Sequence, residues 1–223
     1  MIFFDIDNTL IDYDTTEKNA VKELFGARYN ISLNDEQARF WHTISKTYFN
    51  RYLHGELKYN EQGKRRFCEM TKFCGIDIDE KEGELLFCDY RTLRVKNWVL
   101  FDDVNEALEL LKKFRLGIIS NGNAGQQKEK LLCTNIADNF ELQIFSEDIG
   151  KPKPCADIFL EAVRRSGEKP EDIIYVGDNF DTDIAPCEKI GIRGVLIDRK
   201  GESDYGCTVN SLRELVKLIK KVI

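Results

Sequence analysis

The sequence predicts an α/β protein: a doubly wound parallel-sheet core with an α-helical domain inserted just after the first strand. Three observations carry this. Five short, near-continuous apolar runs suit strands buried on both faces, as in a parallel sheet. After residue 100 these runs alternate with amphipathic helical stretches, which implies right-handed crossovers and helices on both faces of the sheet. Between the first run and the second lies a long segment in which aliphatic and aromatic residues recur at helical spacing and strand-like alternation is scarce.

Taken in order, the first strand is Ile2-Phe3-Phe4-Asp5-Ile6, a run that ends in polar residues. The stretch from Tyr13 to Asn97 reads as four or five helices. Its apolar sets are Val21, Leu24 and Phe25; Phe40, Ile44, Tyr48 and Tyr52; Phe67, Met70 and Phe73; and Leu85, Leu86 and Leu93. An aromatic stripe of this kind is read as packing, not as a ligand box. Val104 to Phe114 follows as a helix with Val104, Ala107, Leu108 and Leu111 on one face. The remaining strands are Leu116–Ser120, Leu142–Ser146, Ile173–Gly177 and Gly194–Ile197. A helix at Ile158–Arg165 shows Ile158, Phe159, Ala162 and Val163. Ser211-Leu212-Arg213-Glu214 resembles a capping box opening a final helix with Leu215, Leu218, Ile219 and Val222. The expected domains are a core of residues 1–12 and 98–223 and a helical insertion of residues 13–97. No internal repeat or low-complexity tract interrupts this pattern.

Composition narrows the function classes. The 223 residues suffice for one domain plus an insertion, and 42% hydrophobic content supports a packed core and not a disordered chain. The net charge of -6, with no basic block, speaks against a nucleic-acid polymer as partner but leaves room for a small phosphorylated substrate bound at a local positive site. Asp5 interrupts the apolar start, so no signal peptide is expected, and no apolar run nears the roughly 20 residues that span a bilayer. The seven Cys, odd in number and without a Cys-x-x-Cys pair, fit free thiols in a reducing cytoplasm.

In an open parallel sheet, ligands gather beyond the carboxyl ends of the strands. The polar residues expected there are Asp5 and Asp7 after strand one, Ser120 and Asn121 after strand two, and Asp178 and Asp183 after strand four, with Lys153 in the loop after strand three. Four converging carboxylates need a cation, and all-oxygen ligation favours Mg²⁺ over zinc. Each piece alone is weak. Asp-x-Asp after a strand is common turn chemistry, Asn121-Gly122 is an ordinary turn signal, Lys153 before Pro154 competes with Lys151, and Gly177-Asp178 can open a helix. His42 and His54 lack the i, i+4 spacing of a helical zinc pair.

Together these segments resemble the haloacid dehalogenase superfamily, most of whose members are phosphatases. Four motifs occur in that family's order: Asp5-Ile6-Asp7-Asn8-Thr9; Ser120 closing an apolar strand before Asn121-Gly122; Lys153 in a Lys-Pro segment upstream of Ile158-Phe159; and Gly177-Asp178-Asn179-Phe180-Asp181-Thr182-Asp183. The resemblance covers residues 1–12 and about 98–200, and implies a Rossmann-like core whose insertion is the family's helical cap. It implies that Asp5 attacks phosphorus and forms an aspartyl-phosphate, and that Asp7 protonates the leaving group and then activates water. Mg²⁺ would be held by Asp5, the Asp7 backbone carbonyl and Asp178. Ser120, Asn121, Gly122 and Lys153 would bind the phosphate, with Asp183 and Asn179 behind them.

Asp7 argues for a phosphatase over a dehalogenase, since family dehalogenases lack an acid at that position. A phosphomutase remains open, as does a binding or regulatory protein that kept the fold without turnover. Tyr52–Leu57 and Gln126–Leu131 resemble segments of the family's nucleotidases and acyl-neuraminate-phosphate phosphatases, so a nucleoside 5′-monophosphate is the expected substrate and a sugar phosphate the alternative. Ala185-Pro186-Cys187 departs from that subgroup, which carries paired glycines there. The cap is expected to set specificity, with hinges at Leu10–Thr15 and Val95–Asp102, in a monomer or homodimer.

Overall fold

The apolar runs become strands of one sheet in a computed structural model, which describes residues 1–222 and side chains as far as Lys220. The strands are β1 (Ile2–Phe4), β2 (Leu116–Ser120), β3 (Leu142–Phe145), β4 (Ile174–Gly177), β5 (Arg193–Ile197) and β6 (Thr208–Val209). They lie in the order β3-β2-β1-β4-β5-β6, and every pairing is parallel. The edge strand β6 was not expected; two residues carry no apolar run to read. The first strand ends at Phe4 instead of Ile6. Asp5 still donates its N–H to the Val176 carbonyl (2.9 Å), but the chain then turns, and the Ile6 carbonyl accepts from both Leu10 and Ile11.

The helices are α1 (Tyr13–Tyr29), α2 (Asp35–Leu53), α3 (Tyr59–Phe73), α4 (Glu80–Asn97), α5 (Val104–Leu111), α6 (Ala124–Cys133), α7 (Ser146–Ile149), α8 (Ala156–Ser166), α9 (Ala185–Glu188) and α10 (Leu212–Val222). Of these, α6, α7 and α9 escaped the sequence reading. Helices α7 and α9 are single turns. Helix α6 hides its period because its buried face carries Gln127 and Lys130 beside Ala124 and Leu131. The predicted capping box of α10 is half formed. Ser211 Oγ accepts from Glu214 N–H, but the Glu214 carboxylate accepts from Asn210 N–H, one residue before the cap. Leu215 and Ile219 are buried as expected, while the Val222 side chain lies outside those described.

Alternation along the strands divides the core between two faces. Ile2, Phe4, Ile118 and Val176 pack with Val104, Leu108 and Leu111 of α5, Leu131 of α6, and Leu212, Leu215 and Ile219 of α10. Phe3, Ile119, Ile144 and Tyr175 pack on the other face with Ile158, Phe159 and Ala162 of α8. Each such large apolar side chain contributes about 1.5–3 kcal/mol on burial. A buried carboxylate ties the far end of this layer together: Asp103 accepts from Leu212 N–H (2.7 Å) at the start of α10 and from the Arg199 guanidinium.

The chain divides into two compact units, Met1–Asp12 with Val99–Ile223, and Tyr13–Trp98. Within the first unit, Asp12 N–H donates to Val99 O and Ile11 bridges Leu100. The second unit has a core of its own, built from Val21, Leu24 and Phe25 of α1, Trp41 and Ile44 of α2, Phe67 and Met70 of α3, and Leu86 and Tyr90 of α4. Phe73 and Leu85, read as packing, are instead 42% and 46% exposed; Phe73 stacks on Phe40 at 4.0 Å. Among the described residues no helix is long and apolar enough to cross a membrane. All seven cysteines are free.

Candidate active site

Strand order reverses at β1: the chain winds out through β2 and β3 on one side and through β4, β5 and β6 on the other. At such a switch point the connections leave in opposite directions and open a crevice past the carboxyl ends. Asp5 leaves β1 there, Asp178 follows β4, and Ser120 closes β2.

Lys153 is the hub of the site. Its Nζ donates to Asp5 Oδ1 (2.7 Å), Asp183 Oδ1 (2.6 Å) and the Tyr175 hydroxyl (2.9 Å), with the side chain almost wholly buried. Burial alone pulls an ammonium down, but Asp183 and Asp5 outweigh it and hold Lys153 above its ordinary value. Tyr175 donates to the Ile119 carbonyl, and burial beside Asp183 pushes its hydroxyl far up, so it stays protonated. Asp183 is also fixed from behind, its Oδ2 accepting from Asn179 N–H (3.1 Å). Gly177 is required by this packing. A Cβ there would lie 2.6 Å from Asp183 Cβ and Cγ, closer than any relaxed contact. Asn179 Oδ1 caps the following turn by accepting from Thr182 N–H.

Burial, partly countered by Lys153, lifts the Asp5 carboxyl to about 6, and burial with the nearby Asp5 and Asp183 charges lifts Asp178 to about 8. One lysine therefore does not neutralise this group of acids. Asp5, Asp178 and Asp183 each place a carboxylate oxygen within 4.8 Å of the other two. Hard oxygen donors in surplus negative charge are the donor set that Mg²⁺ takes, and they fit it. Asp183 is the poorest donor of the three, because both its oxygens already accept hydrogen bonds.

Asp7 stands two residues beyond Asp5, before Asn8 in the left-handed region (φ 60°), and keeps about a quarter of its side chain exposed. Two residues that the sequence reading did not single out grip its carboxylate. Lys130 Nζ lies 2.5 Å from Oδ1 and 2.8 Å from Oδ2, and Gln127 Nε2 lies 3.1 Å from Oδ2. Gln127 also reaches Ser120 Oγ (2.8 Å) and the Asn121 carbonyl (3.2 Å). The available signal was the i, i+3 spacing of Gln127 and Lys130, which puts both on one face of a helix.

The residues expected at the phosphate divide. Ser120 Oγ accepts from Gln127 and has its own proton to give. The Asn121 side chain is committed elsewhere: it accepts from Lys153 N–H (2.7 Å) and donates to Lys153 O (3.0 Å), so it holds the lysine's backbone. Gly122, at φ 123°, donates its N–H to Ser146 Oγ (2.9 Å). The structure thus engages the Asn121 side chain and the Gly122 N–H within the protein; the Asn121 backbone N–H is a separate donor from that side chain.

Comparison with known proteins gives the family and the fold. The family model for haloacid dehalogenase-like hydrolases matches residues 1–191. Glyceraldehyde 3-phosphate phosphatase of Methanopyrus kandleri is 30% identical, over 89% of this chain and 83% of its own length. N-acylneuraminate-9-phosphatase of Mus musculus is 26% identical, over 99% and 93%. Among solved structures, the magnesium-bound HAD-hydrolase YfnB of Bacillus subtilis superposes with a TM-score of 0.86 at 24% identity, covering 98% of this chain and 97% of that one. With the motifs on one crevice of a doubly wound sheet, and a family match spanning most of its length, the chain belongs to the haloacid dehalogenase-like hydrolases.

Proposed function

We propose that the chain is a Mg²⁺-dependent phosphatase of small phosphate monoesters that works through an aspartyl-phosphate on Asp5. The observation that carries this is the pairing of a buried Asp5, held by Lys153 at 2.7 Å, with a second acid, Asp7, two residues further on. Relatives named as phosphatases support it.

Asp5 and Asp178, with the Asp7 backbone carbonyl, would hold the cation, which when bound offsets negative charge at the carboxylates and the phosphoryl group. Lys153 and Ser120 orient the phosphoryl oxygens and stabilise the charge they gain. A carboxylate oxygen of Asp5 forms a bond to phosphorus while the bond to the leaving oxygen breaks, and Asp7 gives that oxygen its proton. Water then attacks phosphorus, Asp7 takes a proton from it, and the bond from Asp5 to phosphorus breaks, releasing inorganic phosphate. Asp183, Tyr175 and the Asn121 side chain keep Lys153 in place.

The helical unit, residues 13–97, is the part of the chain that selects the leaving group. The relatives are named for glyceraldehyde 3-phosphate and N-acylneuraminate, which favours phosphorylated sugars and sugar derivatives over the nucleoside 5′-monophosphates expected from sequence. Hydrolysis of p-nitrophenyl phosphate that EDTA abolishes and Mg²⁺ restores is the expected result. No EDTA-sensitive hydrolysis by the wild type refutes the reading. A panel of sugar phosphates and nucleoside monophosphates then tests the substrate class, and equal rates across it would sink the sugar preference.

Cation binding also changes how stability depends on pH. Asp178 titrates near 8 when folded without metal, against the ordinary value of 3.8. Across that window the folded state holds a proton that the unfolded state has lost. The metal-free protein therefore loses stability as pH rises from about 4 through about 8. Mg²⁺ removes the penalty, so its effect on Tm is larger above pH 8 than below pH 6, each kcal/mol reading as about 2–4 °C at this chain length. Thermal melts with Mg²⁺ and with EDTA at both pH values check this; an equal Mg²⁺ shift at both contradicts it.

A further inference from the structure

Helix α6 presents two buried polar residues where a core-facing position would ordinarily be apolar. Lys130 is 1% exposed and Gln127 is 2% exposed. An ammonium out of water without a partner costs several kcal/mol, so packing alone does not account for a lysine there. Its Nζ holds both oxygens of Asp7, and the Gln127 carboxamide sits between Asp7 Oδ2 and Ser120 Oγ. The carboxamide has two N–H donors for three acceptors within reach, the third being Asn121 O, so it links the acid to the residues closing β2.

The proposed reaction asks Asp7 to serve two oxygens in turn, first the leaving oxygen and then the attacking water. A partly exposed carboxylate on a turn would otherwise sample several rotamers. We infer that Gln127 and Lys130 form a clamp that fixes the orientation of the Asp7 carboxyl group, which gives its proton to the leaving oxygen in the first step and, as the carboxylate, takes one from water in the second. This rests on the phosphatase reading above. Lys130 and Gln127 are positioning residues: they act through Asp7 and not on the phosphate.

The test uses the purified full chain and two esters. An alkyl phosphate needs its leaving oxygen protonated; p-nitrophenyl phosphate hardly does, because nitrophenolate leaves unaided. Lys130→Met lowers kcat on the alkyl ester by about 10²-fold, within the range that a positioned acid contributes. On p-nitrophenyl phosphate the same variant shows a stoichiometric burst of nitrophenolate followed by slow turnover, because the first step survives and water activation does not. Lys130→Arg restores part of the loss. D7N/K130M is no slower than D7N alone. Gln127→Leu repeats the pattern more weakly and carries the test if Lys130→Met does not fold by thermal melt. The clamp is refuted if wild type is active and the variants lose activity on both esters by one factor without a burst, or if the double variant is slower than D7N by the full K130M factor. Wild type inactive on both esters overturns the phosphatase reading itself and the clamp with it.

Discussion

Asp5→Asn leaves a folded protein that does not turn over phosphate monoesters. The amide keeps the shape of the carboxylate but gives no competent nucleophile and a poorer cation ligand. The expected fall in kcat is roughly three orders of magnitude or more, the scale on which loss of a covalent nucleophile is read. Folding should survive, because Lys153 keeps its ion pair with Asp183 (2.6 Å) and its contact with Tyr175. Removing one buried carboxyl, which burial and neighbouring acids push up to about 6, even relieves repulsion at Asp178. Steady-state assays at saturating Mg²⁺ with circular-dichroism melts provide the check. A D5N protein holding a tenth of wild-type activity would mean that another group attacks phosphorus.

Lys153→Met damages both activity and stability. The ammonium is enclosed by Asp5, Asp183 and Tyr175, and replacing it with a thioether leaves two buried carboxylates close together without their counter-charge. Breaking one side of a buried ion network costs about 3–5 kcal/mol, which for a chain of this length lowers Tm by roughly 6–20 °C. The deficit depends on pH in a direction set by Asp5. Without Lys153 that carboxyl moves above its present value of about 6, so the folded variant keeps its proton where the unfolded chain has lost it. The variant is therefore closest to wild type in acid and falls furthest behind as pH rises past neutrality. Turnover is lost at every pH, since neither the phosphoryl charge nor Asp5 has its cation. Melts of wild type and K153M from acid to alkaline pH test this; a deficit that does not change with pH would show that the loss is one of packing volume.

How much of this was legible in the chain follows from where each kind of information resides. A parallel sheet writes itself locally, because strands buried on both faces must be apolar throughout. Hence Leu116–Ser120 was read to the residue and β1, β3, β4 and β5 to within two. Asp5 and Asp178 were readable as candidates because the fold puts the residue after each strand at one edge, so order along the chain stands in for proximity, whereas Lys153, in a loop beyond β3, was picked out over Lys151 only by the family resemblance. The capping half of α10 was readable too, since Ser211 and Glu214 act within one turn.

The pairing of side chains was not readable. Gln127 and Lys130 stand in the sequence only as part of Gln126–Leu131, a segment that resembles others of the family, and only the tertiary structure buries that face of α6, where Asp7 is the counter-charge. Nothing local shows that the Asn121 side chain binds the Lys153 backbone, because that partner lies in a loop 32 residues away. Tyr175 read as one more apolar strand residue until its hydroxyl met Lys153 and Asp183. By itself the sequence determined five strands of the sheet, the helical insertion and the candidate acids at the strand ends, because periodicity and strand-end position are properties of a single segment. Only the tertiary structure decided which charges share a partner and which are left to a cation, because burial and ion pairing are properties of segments that meet across more than a hundred residues of chain.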